Sequence, residues 1–128
     1  MSRNRASAKK AGTQMETLVA KYLAEHLDDR IERRRLAGSK DRGDVAGLRH
    51  MGQRIAVEVK NTSRINLAAW AQEAEIARGN DDAGVAMIVH KRHGKGQAAD
   101  QWVTMTLAEF VALITGSRDH LDKEQTDE

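Results

Sequence analysis

Between Gly84 and His90 the chain reads Val85-Ala86-Met87-Ile88-Val89, an uninterrupted apolar run in a sequence that is 31% charged. The run is short enough to be a strand, and its lack of alternation predicts one buried on both faces. Such a strand needs helices on both sides of its sheet, and the rest of the chain supplies them. Thr13 followed by Glu16 reads as a capping box, and Met15, Leu18, Val19, Tyr22, Leu23 and Leu27 recur behind it at helical spacing. Leu67, Trp70, Ala71, Ala74 and Ala77 fit a second helix that stops at Gly79. Thr106 with Glu109 marks another capping box, for a helix through Ile114 closed by Gly116.

Strands are expected at Asp44 to Leu48 and Arg54 to Lys60, joined by a turn around His50, Met51 and Gly52, and again at Gln101 to Met105. A further, heavily charged strand fits Ile31 to Leu36, and Gly38 to Gly43 reads as loop. The order predicts an α/β fold, a mixed central β-sheet flanked by α-helices. With 128 residues the chain is sized for one domain. Residues 1–12 read as a basic mobile tail, 13–116 as the folded domain and 117–128 as an acidic mobile tail.

The absence of cysteine excludes disulfide frameworks and cysteine-based zinc or redox motifs. No apolar stretch is long enough for a membrane span or a signal-peptide core, so the expected setting is the cytoplasm. Aromatic residues make up 3%, too few for the stacking platforms of single-strand binders.

The net charge of +2 conceals an uneven distribution. Arg3, Arg5, Lys9 and Lys10 form one basic cluster. Arg30, Arg33, Arg34, Arg35, Lys40 and Arg42 form another, and Lys91, Arg92 and Lys95 a third, beside His90 and His93. Any one cluster fits ordinary solvated surface, but together they suit a polyanion partner.

The chemistry-bearing set is Gly43-Asp44 followed by Glu58-Val59-Lys60. In the second strand Ile55, Val57 and Val59 share one face, and Ala56, Glu58 and Lys60 the other. In a hairpin centred on Met51, Asp44 lies opposite Glu58, with Cβ atoms about 5 Å apart. Like charges so placed repel, and a hard divalent cation removes that cost while leaving room for water and phosphate oxygens. Lys60, on the same face, is placed to orient or help deprotonate a metal-associated water and to offset phosphate charge. A one-residue slip would send Asp44 to the other face. Glu-x-Lys seen alone is ordinarily an exposed strand, with Asp44 as a turn residue, and the signal lies in the whole set in order.

With these residues in this order, the sequence resembles the PD-(D/E)XK nuclease superfamily, and within it the small Holliday-junction resolvases of phage and archaeal type. The resemblance covers residues 12 to about 114. It implies a restriction-endonuclease-like core and a magnesium-dependent endonuclease, with manganese as a substitute ion, that cuts branched DNA as a homodimer. It implies Asp44 and Glu58 as metal ligands and Lys60 as a catalytic residue, with Glu16 assisting the metal; Glu16 as a helix cap is the other reading. It also implies a glutamine near the site, for which Gln72 is the match, with a solvent-facing role as the alternative. The motif's proline is missing, since Gly43 stands in its place and the chain has no proline. The same fold acting on linear, flap or nicked DNA, and a noncatalytic basic DNA-binding protein, are the rivals.

Arg33, Arg34, Arg35, Lys40, Arg42, Lys91, Arg92 and Lys95 are expected to contact phosphates, the arginine triplet alternatively forming a basic strand edge. His90 and His93 lack partner ligands nearby in sequence, so phosphate contact or exposure is expected of them. Gly94-Lys95-Gly96 lacks the spacing of a nucleotide-binding loop. Trp70 and Trp102 are expected in the core.

Overall fold

The computed structural model describes residues 4–35 and 38–126. Helix α1 (Arg5–His26) is followed by strands β1 (Glu32–Arg33), β2 (Val45–Ala46), β3 (Arg49–His50) and β4 (Gln53–Lys60). Then come α2 (Leu67–Asn80), β5 (Val85–His90), a short 3-10 turn (Ala98–Asp100), β6 (Trp102–Thr104), α3 (Leu107–Thr115) and α4 (Asp119–Thr126). The strands lie in the order β1-β2-β4-β5-β6, with β3 also paired to β4. β4 and β5 run parallel and the other pairs antiparallel, so the sheet is mixed. Among the described residues no helix is long and apolar enough to cross a membrane.

Every residue of β5 is buried, as its unbroken apolar run requires. Ile55, Val57 and Val59 pack with Met15, Val19 and Ala20 of α1 and Ala112 of α3 on one face. Trp70, Ala74 and Ala77 of α2 cover Ala56, Ala86 and Ile88 on the other. The alternation read from β4 therefore holds on both sides of the sheet.

Both expected tails differ from the sequence reading. α1 begins at Arg5, because Asn4 caps it by accepting from the Ser7 amide at 2.8 Å, and alanines and lysines extend the helix without needing an apolar face. Residues 5–12 are thus helical and not a tail, and Thr13 sits mid-helix, where its carbonyl accepts from Thr17 Oγ1. At the other end, the expected acidic tail contains α4. Arg3, Leu36, Asp127 and Glu128, which belonged to the expected tails and first strand, lie outside the described residues.

The hairpin that positions the site reaches its register by compensation. Its turn is Met51-Gly52, both at positive φ (52° and 79°), so His50 pairs with Gln53 and Arg49 with Arg54. That register alone would move Asp44 to the wrong face. A bulge corrects it: Gly47 and Leu48 stand against Ile55, and beyond them Val45 pairs with Val57. Gly47 has φ +91°, and a Cβ there would sit 2.8 Å from the Arg30 carbonyl oxygen, so only glycine fits.

Candidate metal and phosphate site

With Val45 opposite Val57, Asp44 comes level with Glu58. Its amide donates to the Val57 carbonyl at 2.7 Å, and its Oδ2 accepts from the Val59 amide at 2.7 Å. Asp44 thus continues the ladder where β2 stops, which fixes its carboxylate against the end of β4. Glu58 is only 4% exposed, and its Oε1 is buried with no hydrogen-bond partner. Protonated, the Glu58 carboxyl is within hydrogen-bonding reach of Asp41 and Asp44.

The electrostatics follow from that crowding. Burial, then the hydrogen bond to Asp41 and the fields of Asp44 and Asp41, push the Glu58 carboxyl up to about 10. Asp44 is also raised, chiefly by burial, with the Val59 amide and Lys60 pulling the other way. Burial disfavours the Lys60 charge, but its ion pair with Glu73 and the fields of Glu73, Glu58 and Asp44 raise it above an ordinary lysine. Glu16 is raised, first by burial, and is held by Arg33 Nε at 2.9 Å. A bound cation would reverse the energetics of the Asp44–Glu58 pair. Among the described residues no three His, Cys, Asp or Glu side chains are disposed around one ion position. The donor set fits magnesium nonetheless, since that ion is usually held by one or two carboxylates with water and phosphate oxygens completing its shell.

In front of Asp44 opens a cleft of about 730 Å³, walled by Glu16 and Asp44 together with Lys9, Arg33, Arg34, Arg35, Lys40 and Arg42. Glu58 and Lys60 are not part of that wall; they stand behind Asp44 on β4. Of the arginine triplet, Arg33 is tied to Glu16 and Arg34 lies 3.6 Å from Asp81, while Arg35 is exposed. The cleft therefore gathers five of the six residues of the second basic cluster around four carboxylates, those of Glu16, Glu32, Asp41 and Asp44, and the capping role of Glu16 is excluded because α1 begins well before it.

The third cluster sits at the same end of the sheet as Lys60, whose carbonyl accepts from the Lys91 amide at 3.0 Å. Gln101 organises this loop: it accepts from the Arg92 amide at 2.7 Å and donates to the carbonyls of Lys95 and Gln97. The Lys91 ammonium is bonded to the Lys95 carbonyl. Arg92 lies over the Trp102 ring at 4.6 Å. Trp102 is 47% exposed and not a core residue, because β6 is the sheet edge, whereas Trp70 is buried as expected. His90 is buried, not exposed: it lies in β5 beside Lys60, packs on Trp70 and bonds Thr104 Oγ1 at 2.7 Å. Burial lowers its pKa. His93 is exposed.

Gln72 is exposed on α2, and the α2 side chain that touches Lys60 is its neighbour Glu73. Glu73 and Asp41 are the site residues that sequence reasoning missed. The former had a usable signal, since it follows Trp70 by one helical turn and immediately precedes Ala74. Asp41 had a weaker one, an aspartate two residues before a glycine; its Oδ1 accepts from the Gly43 amide at 2.8 Å. No family model matches the chain, and neither a curated protein nor a solved structure does.

Proposed function

We propose that this protein is a magnesium-dependent endonuclease of the PD-(D/E)XK kind that hydrolyses DNA phosphodiesters, with a branched junction as its substrate. The observation that carries the reading is the Asp44–Glu58 pair: two carboxylates buried together, one with an orphan oxygen, beside a charged lysine and a basic cleft. A structural role does not require such a pair. Magnesium, or manganese in its place, would be held by Asp44 and Glu58 and would supply charge neutralisation and an acidified water. Lys60, with its raised pKa, stays protonated at neutral pH, so its role is to hold phosphate charge and orient water and not to take a proton. Arg35, Lys40, Arg42 and Lys9 bring the DNA backbone to the cleft without reading bases. Two cuts across a four-way junction need two such sites, so the reading includes a homodimer.

A noncatalytic DNA-binding protein is favoured by one observation, the Lys60–Glu73 ion pair, which occupies the lysine. Cleavage of matched four-way junction, flap and linear duplex in magnesium separates the readings. The nuclease reading expects junction cleavage that disappears with chelator. No cutting of any of the three in magnesium or manganese would leave the binding protein.

A further inference from the structure

α3 is built inside out. Its one charged residue, Glu109, is buried: it accepts from the Ala86 amide at 2.8 Å, where β6 is too short to pair, and it binds both terminal nitrogens of Arg118. Its outward face carries Leu107 (78% exposed), Phe110 (48%) and Ile114 (59%), spaced one and two turns apart, with the half-buried Val111 between them. A solvent-facing helix normally has the opposite pattern. Beside it, β6 ends the sheet, and Val103, opposite Val89, points exposed to the face on which α3 lies.

We propose that α3 and the outer edge of β6 form the contact between two copies of this chain about a two-fold axis. Three features select a second copy as occupant. The face carries no charge, so it complements another uncharged apolar face, and a two-fold brings it against itself. The open edge of β6 pairs antiparallel with its own copy across such an axis. At their exposed fractions, Val103 and the α3 side chains present roughly 450 Å² of apolar surface per copy, within the ~300–600 Å² range of the largest patches on monomers, which are often functional. Doubled and given a polar rim, this reaches the roughly 1,200 Å² at which stable interfaces begin. Area does not set affinity, so association is sought over a wide range of concentration. The contact needs nothing from the nuclease reading, while its use for paired cuts rests on that reading.

Sedimentation equilibrium of the full chain, without DNA or divalent ions, from about 1 to 200 µM tests it. The weight-average mass should rise with concentration from 14.2 kDa toward twice that value. Leu107→Glu and the double variant Leu107→Glu/Ile114→Glu should stay monomeric throughout, with an unchanged far-ultraviolet circular dichroism spectrum. If the double variant loses its fold, the single one decides, since its side chain is mostly in water already. A wild-type chain that stays monomeric at 200 µM, or a folded Leu107→Glu chain that dimerises as wild type does, overturns the proposal. The outcome is separable from catalysis: a dimer that cuts nothing counts against the nuclease alone, and a monomer that cuts counts against this contact alone.

Discussion

Replacing Glu58 by glutamine should stabilise the fold at neutral and alkaline pH, although it removes a central residue of the site. In the folded chain the Glu58 carboxyl is pushed up to about 10 from an ordinary value of 4.5, first by burial, then by Asp41 and Asp44. Between those two values the unfolded chain has released a proton that the folded chain keeps. Stability therefore falls as pH rises through the window, by about 1.4 kcal/mol per unit from this group, and the contribution is fully present only below pH ~4.5. From pH 5.5 to 8.5 the loss amounts to about 4 kcal/mol, a large part of the roughly 5–15 kcal/mol available to a domain. Glutamine has nothing to ionise, and its amide keeps a donor for Asp41 or Asp44 in place of the single O–H of the protonated carboxyl. Urea unfolding of both proteins at these two pH values, without divalent ions, measures the difference. The wild type should lose about 4 kcal/mol more than Glu58→Gln. Equal losses would show that Glu58 is already ionised in the folded chain and that the carboxylates are not crowded.

Other perturbations address separate parts of the account. Gly47→Ala should cost at least about 2 kcal/mol in denaturant unfolding, because both the positive φ and the Arg30 carbonyl oppose a Cβ; a change below about 0.5 kcal/mol would contradict the bulge. Glu109→Ala should destabilise by roughly 3 kcal/mol in thermal melts, since Arg118 and the Ala86 amide lose their acceptor, and an unaltered melting temperature would refute that role. Lys9→Ala should weaken binding to all DNA alike and lower the slope of log affinity against log salt by about 0.9, whereas an unchanged slope would take Lys9 out of the DNA contact.

The layers of the fold were legible because they rest on periodicity. The Val85–Val89 run, the alternation of β4 and the sheet-facing side of α2 each state which surfaces must be covered. The opposition of Asp44 to Glu58 was legible too, although the route to it was not: a hairpin centred on Met51 gives the same pairing there as a tighter turn followed by a bulge. Gly47 was the trace of that bulge, but a lone glycine does not say which strand carries the extra residue. Features that depend on long-range polar contacts stayed hidden. Asp41 joins the carboxylates through a loop, Glu73 reaches Lys60 from the helix that covers its face of the sheet, and Gln101 ties down the 91–97 loop from a strand-end position. Burial in the last two strands was misjudged in both directions, since Trp102 is exposed where β6 ends the sheet and His90 of β5 is enclosed between Trp70 and Thr104. The start of α1 was missed because Arg5 to Gly12 needs only a cap and good helix formers, and has no apolar stripe to mark it.

The central claim is that Asp44 and Glu58 form a metal site for phosphodiester hydrolysis, and single-turnover cleavage of a labelled four-way junction tests it most directly. Wild type, Asp44→Asn and Glu58→Gln would be compared in magnesium, with junction affinity measured in calcium for each. Wild type should cut and both variants should lose at least about a thousandfold in rate, because each removes a charge that would hold the ion. Affinity should change by less than about threefold, because every basic side chain of the cleft is kept. Cleavage by either variant at the wild-type rate under saturating magnesium would contradict the account.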